Sequence, residues 1–191
     1  MAFIALRKDT QERIDITRIE KPYLELKSGD CVCQLCGEPL IVRCGMIRQA
    51  HFAHYSACVS DYRYHPESPE HMAGKEYVAD LITQMLINMG IENPKVDYEV
   101  RIPEAKRVAD VLVTFPMGWR IACEIQLASI TIADLEERTN DYARAGIDTI
   151  WWLGKQADTD QNRYWCATNL VRCYRIYFEY HTIGKIVSGL S

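Results

Sequence analysis

Helical spacing of apolar residues is strongest in the middle of the chain. Ser68-Pro69-Glu70 combines a capping hydroxyl, a proline suited to the first helical position and an acid that complements the helix dipole. A helix is expected from there to Met89, with Gly90 stopping it. Tyr77, Val78, Leu81, Ile82, Met85 and Met89 fall on one arc and predict its buried stripe, with Glu70 and His71 at the border, Lys75 just beyond and Glu76 facing solvent. The period then changes to two. Val96, Tyr98, Val100 and Ile102 alternate with Asp97, Glu99 and Arg101, which predicts a strand with one buried face. After a turn at Pro103 to Lys106, strands Val108 to Phe115 and Trp119 to Leu127 flank Pro116-Met117-Gly118 and predict a hairpin. Thr131 with Asp134 reads as a capping box for a second helix that Gly146 ends. The unbroken apolar run Ile147 to Leu153 predicts a strand buried on both faces. Helix, three strands, helix, strand is a mixed α/β core.

Residues 1–66 lack that periodicity. Short apolar runs (Phe3 to Leu6, Leu40 to Val42) and dense cysteine and histidine predict a small metal-stapled module, leaving 67–191 as the second domain. The 191 residues, 48% hydrophobic and 25% charged, suit one full core with such a satellite. No apolar run is long enough to span a bilayer and Met1 to Arg7 is too poor in apolar residues for a signal peptide, so a soluble, cytoplasmic protein is expected. The net charge of −4 excludes an all-over basic nucleic-acid coat. Negative charge is concentrated in the middle: +1 for 1–66, −7 for 67–159 and +2 for 160–191. A solvated face and a group of metal-binding carboxylates are the two explanations.

Five of the eight cysteines, Cys31, Cys33, Cys36, Cys44 and Cys58, crowd into the first region, whereas Cys123, Cys166 and Cys173 are scattered. Without an export signal, reduced cysteines acting as metal ligands or small core residues are expected rather than disulfides. Cys33-x-x-Cys36 has zinc-knuckle spacing, and His51-x-x-His54 follows; two histidines three apart converge on one ion from a helical turn or a tight loop. Cys33, Cys36, His51 and His54 are therefore expected to hold a structural Zn²⁺, with Cys31, Cys58 and Cys44 as rival ligands. Arg43 and Arg48 either present guanidinium groups to phosphates or are solvated.

If the three-residue loop pairs Phe115 with Trp119, Asp110 lies directly opposite Glu124, with Ala122 and Gln126 on the same face. Opposed like charges on neighbouring strands repel, and one pKa rises. A divalent hard cation such as Mg²⁺ would neutralise them, the small Ala122 leaves room, and Glu70 could supply a third carboxylate. The competing reading puts Asp110 at a surface strand end and pairs Glu124 with Arg107 or Lys75.

Arg107-Val-Ala-Asp110-Val-Leu followed by Glu124-Ile-Gln126 and Ser129 resembles the D…(D/E)-x-K signature of the PD-(D/E)XK nuclease superfamily, in the form used by the competence protein CoiA-like family. Cys33-x-x-Cys36-Gly37, Gly45-x-x-Arg48, His51-Phe52-Ala53-His54, Glu70-His71 with Gly74-Lys75, Arg138 with Tyr142, and Ile150-Trp151 resemble that family's blocks in order, over residues 1–155. The resemblance implies a restriction-endonuclease-like αβββαβ core and metal-dependent hydrolysis of DNA phosphodiester bonds, in DNA uptake, recombination or defence. Asp110, Glu124 and the Ile125 carbonyl would hold Mg²⁺ or Mn²⁺. Gln126 stands where many members have lysine and brings no charge, so Lys75 and Arg138 become candidate cations, with His71 and Glu70 beside the site and Arg138, Tyr142 and Arg48 toward substrate. The alternative is a zinc-stabilised module without turnover that recruits or inhibits a recombination or other DNA-processing protein.

Tyr164, Trp165, Tyr174, Tyr177, Phe178 and Tyr180, interleaved with Arg163, Arg172 and Arg175, fit single-strand contact. The stronger reading is that Tyr174, Ile176 and Phe178 alternate like a strand packed on the core, and arginine with tyrosine is also common at protein interfaces.

Overall fold

In the computed structural model the contacts of the chain divide it into two units, Met1–Pro69 and Glu70–Ser191. The structure describes residues 2–45, 50–58, 60, 68–178 and 186–189; Arg48 and Tyr180 lie outside them. The first unit contains β1 (Ile4–Arg7), β2 (Arg13–Asp15), a 3-10 turn (Ile16–Arg18), α1 (Pro22–Glu25), β3 (Cys31–Val32), β4 (Leu40–Arg43) and β5 (His51–His54). Two small sheets result, in the orders β2-β1-β3 and β4-β5. Phe3, Ile4, Ile16, Leu40 and Phe52 are fully buried and form their core.

The second unit runs α2 (Pro69–Asn88), β6 (Lys95–Ile102), β7 (Arg107–Thr114), β8 (Arg120–Gln126), α3 (Ile132–Arg144), β9 (Asp148–Leu153), α4 (Asp160–Thr168), β10 (Arg172–Phe178) and β11 (Ile186–Gly189). Its six-stranded sheet has the order β11-β10-β9-β8-β7-β6. Strands β6 to β8 are antiparallel, β8–β9 and β9–β10 are parallel, and β10–β11 is antiparallel. The first six elements give the restriction-endonuclease-like αβββαβ order. Local chemistry explains the joints. Gly118 at φ 82° makes the tight hairpin turn, closed by Phe115 N–H donating to the Trp119 carbonyl at 2.8 Å. Thr131 caps α3 by accepting from Asp134 N–H at 3.1 Å. The apolar run of β9 places Trp151 and Leu153 in a cluster with Leu135 of α3 and Cys166 of α4.

Helix α2 buries a different face from the one hydropathy predicts. Met72, Gly74, Lys75, Val78, Ala79 and Leu86 are buried, whereas Met85 is exposed and Met89 lies beyond the helix end, also exposed. The buried face carries a lysine whose charge is matched by an acid from β6, so a hydrophobicity ranking turns the helix the wrong way.

Helix α4 is an addition that the sequence pattern did not separate from the aromatic segment. Thr159 caps it, and Asp158, just before it, accepts from Arg163 and from the Tyr177 hydroxyl and pairs with Arg175. Tyr174 packs on Trp152 with ring centroids 4.8 Å apart, and Ile176 is buried. These partners favour packing on the core as the role of Tyr174 and Tyr177.

Leu153→Ala, which empties a side-chain volume 1% exposed, should cost about 2–5 kcal/mol. Met117→Ala at the hairpin tip, 95% exposed, should stay within about 0.5 kcal/mol. Urea denaturation of the two variants beside the parent checks both.

Candidate active site and metal centre

The hairpin register decides the geometry. Val111 pairs with Cys123, Leu112 with Ala122, Val113 with Ile121 and Thr114 with Arg120. Continued one step, this sets Asp110 opposite Glu124. The two acids are joined through the backbone: Ile125 N–H donates to Asp110 Oδ2 at 2.8 Å, and Asp110 N–H to Glu124 Oε1 at 3.4 Å. Asp110 thus sits inside the sheet ladder, held against Glu124, and is no surface strand end.

Two helices clamp this pair, each with residues one turn apart. From α2, His71 Nε2 lies 2.7 Å from the Ile125 carbonyl and 3.2 Å from Asp110 Oδ2. A carbonyl only accepts, so Nε2 carries the hydrogen and offers it to both oxygens. From α3, the Tyr142 hydroxyl donates to Glu124 Oε1 at 2.7 Å, and Arg138 Nη1 lies 3.2 Å from Glu124 Oε2 and 3.4 Å from Gln126 Oε1. Arg138 also lies over the Trp151 ring, 5.4 Å from its centroid. Gln126 Nε2 donates to the Ala128 carbonyl at 2.9 Å, which fixes its amide. Glu70 is exposed in the first turn of α2, and His71 beside it is the residue that reaches Asp110.

The partners offered to Glu124 by the sequence are engaged elsewhere. Arg107 pairs with Asp141 at 2.6 Å, and Lys75 Nζ donates to Glu99 Oε1 at 2.6 Å. Both members of the second pair are buried, and Lys75 is completely so. Glu99 was missed as a site residue. It adopts φ 47° within β6, at the register position opposite Asp110, since Tyr98 pairs with Val111 and Val100 with Ala109. Its signal was available in the register: an acid in line with Asp110 and Glu124 on three neighbouring strands. A left-handed non-glycine residue costs about 1–3 kcal/mol and persists where its surroundings demand it.

Burial raises the Glu124 carboxyl and the neighbouring Asp110 charge raises it further, against Arg138 and the Tyr142 hydroxyl. Asp110 moves the other way. Burial would raise it, but His71, Lys75 and the Ile125 N–H together hold it well below the usual carboxylate range. Two adjacent acids with opposite displacements form one coupled unit. Tyr142 is raised by burial and by Glu124, so its hydroxyl stays a donor.

In the first unit the ligand atoms of Cys33, Cys36, His54 and Cys58 all lie within 4.8 Å of one another. Cys33 Sγ is 4.0 Å from Cys58 Sγ, and Cys36 Sγ is 3.4 Å from His54 Nε2. Metal–ligand bonds of about 2.0–2.3 Å give tetrahedral edges near these separations. The cluster could bind a metal such as zinc. His51 is corrected to Cys58: residues 51–54 form a strand, where positions three apart point to opposite faces, rather than a helical turn. The knuckle itself is built by backbone, with Gly37 at φ 76° and Leu35 N–H donating to Cys33 Sγ at 3.4 Å. Burial pushes the Cys33 thiol up to about 12, a cost that a bound cation reverses.

A nuclease-type core carrying a sheet-borne acid pair, preceded by a Cys₃His cluster, defines the class. The chain belongs to the competence protein CoiA family: residues 67–185 match its nuclease-like domain and residues 14–61 its N-terminal domain. No curated protein matches the chain. Among solved structures it is similar to a repair endonuclease from Pyrococcus abyssi, at 13% identity and TM-score 0.39, over 58% of this chain and 47% of that one. The chain thus spans just under half the length of that protein. It is also similar to Pyrococcus furiosus SfsA in complex with Ca²⁺, at 14% identity and TM-score 0.38, over 97% of this chain and 91% of that one. Among the described residues, no helix is long and apolar enough to cross a membrane.

Arg138→Leu leaves Glu124 buried beside Asp110 without its cation, and should cost about 3 kcal/mol at neutral pH. A carboxyl whose folded pKa is raised favours the folded state when protonated, so stability is retained below that pKa and lost as pH rises through it. The deficit should therefore shrink as pH is lowered into the carboxylate range. Urea midpoints across pH measure it, and a deficit that does not vary with pH would contradict the assignment.

Proposed function

We propose that the chain is a metal-dependent nuclease that hydrolyses DNA phosphodiester bonds, acting in the cytoplasm in DNA uptake, recombination or defence. The observation that carries this reading is the pairing of Asp110 with Glu124 beside the Ile125 carbonyl. Asp110 Oδ2 and the Ile125 oxygen face one polar hydrogen, that of His71, so both already point at a single place. Carboxylate and carbonyl oxygens suit a hard divalent ion, and the residues present fit Mg²⁺ or Mn²⁺ held by Asp110, Glu124 and Ile125. When bound, such an ion supplies Lewis-acid stabilisation to the phosphate. The rest is the work of the chain. Tyr142 and Arg138 fix the Glu124 carboxylate and keep it from rotating away. Gln126, whose amide is held between Arg138 and the Ala128 carbonyl, can orient a water or phosphate oxygen. Lys75 is too deeply buried to touch substrate, and acts through its field on Asp110. Arg138 and Tyr142 serve substrate through Glu124 and Gln126; Glu70, exposed at the start of α2, is the candidate for contact from solvent.

Cys33, Cys36, His54 and Cys58 would hold a structural Zn²⁺, since four protein ligands leave no open position. A second reading, a DNA- or protein-binding module without turnover that engages a recombination or other DNA-processing protein, is favoured by one observation. Arg138 and the Gln126 amide are satisfied by each other and by neighbouring groups.

Labelled single- and double-stranded DNA incubated with Mg²⁺, Mn²⁺ or EDTA tests the first reading. Cutting should require the metal and be lost in Asp110→Ala and Glu124→Ala. Folded protein that cuts neither substrate, with both variants binding DNA or partner as the parent does, would leave the binding module. For the first unit, Cys58→Ser should abolish bound zinc and His51→Gln should retain it, as read by metal content after purification.

A further inference from the structure

Among the described residues, Glu99 is the buried acid near the site that the proposed chemistry leaves without a task. Its backbone is left-handed at φ 47°, a conformation that favours glycine, in the middle of an eight-residue strand. The β6–β7 register is the same on both sides of it, so no residue has been inserted; the ladder skips only the step where Glu99 faces Asp110. The departure is therefore local and coincides with the acid pair. At that step Glu99 Oε1 accepts from Lys75 Nζ at 2.6 Å, with Glu99 2% exposed and Lys75 0%. Lys75 stands one helical turn after His71, whose Nε2 lies 3.2 Å from Asp110 Oδ2, and its partner Glu99 holds the register position opposite Asp110.

We infer that Glu99 is a positioning residue: from its left-handed backbone, its carboxylate fixes the Lys75 ammonium at the step of the sheet that faces Asp110 and balances that charge, so that the acid pair keeps its attraction for a divalent cation. The inference rests on the metal site proposed above. An ammonium near Asp110 replaces the cation that Gln126 does not supply, but left unbalanced it would repel the ion it is meant to accompany. The Glu99 carboxylate, paired with the lysine at 2.6 Å, resolves the conflict. An ion pair serving stability alone would gain nothing from being placed at the single irregular step of the ladder.

The test is Mn²⁺ binding to the full, zinc-loaded chain by calorimetry, with thermal unfolding of the same samples before Mn²⁺ is added. Asp110→Ala defines the Mn²⁺ site under study. Glu99→Gln keeps shape and removes charge; Glu99→Gly also removes it, in a backbone at ease at positive φ. Both should stay folded and weaken the Asp110-dependent Mn²⁺ site by about tenfold or more. The double change Glu99→Gln with Lys75→Met removes both charges and should recover Mn²⁺ affinity toward the parent. If cleavage is present, its kcat should stay low in the double variant while KM for DNA is unchanged. Folded Glu99→Gly with parental Mn²⁺ affinity overturns the inference, as does a double variant no tighter than Glu99→Gln. Mn²⁺ binding that ignores Asp110→Ala overturns the underlying metal site instead, which separates the two failures.

Discussion

Two carboxylates on neighbouring strands, both largely withdrawn from water, repel each other and destabilise the sheet that holds them. The polar groups gathered around them answer that repulsion. The Ile125 N–H and His71 favour the charged form of Asp110, and Arg138 and Tyr142 do the same for Glu124. The cations and donors are carried on helices rather than on the strands because a helix presents two side chains one turn apart to the same spot. His71 with Lys75 and Arg138 with Tyr142 are spaced in that way. The acids then carry opposite displacements of their pKa values, an asymmetry that lets two chemically similar groups do different things.

The hairpin was legible in the sequence because a short turn ending in Gly118 leaves few registers, and one of them stacks Asp110 on Glu124. The second helix was legible from Thr131, Asp134 and Gly146, whose roles are local. Burial of Lys75 was not. It depends on Glu99 arriving from a different element in a backbone state that no residue-type pattern announces. The same gap misdirected the buried face of α2. Arg138 could be placed one turn from Tyr142, but its choice of Glu124 over solvent is settled only by the parallel strand β9, which brings Trp151 beneath it.

At the cysteine cluster the spacing of Cys33 and Cys36 was sufficient, because a knuckle is a local turn built by Gly37 and backbone N–H groups. The histidines failed as a pair for a geometric reason. Residues three apart meet on a helix and part on a strand, and the pairing of β4 with β5 makes this segment a strand. Cys58, a rival by composition alone, takes the place that His51 leaves.

That arrangement has a consequence for how the first unit is fastened. Two ligands belong to one turn, while His54 ends β5 and Cys58 follows it, so an ion gripping all four would close the chain between Cys33 and Cys58 into a ring. Such a ring restricts the unfolded chain much as a disulfide does, yet it opens to a chelator rather than to a reductant. The fastening would survive a reducing compartment and give way where thiols are oxidised, reversing the dependence on surroundings that a cystine bridge would have.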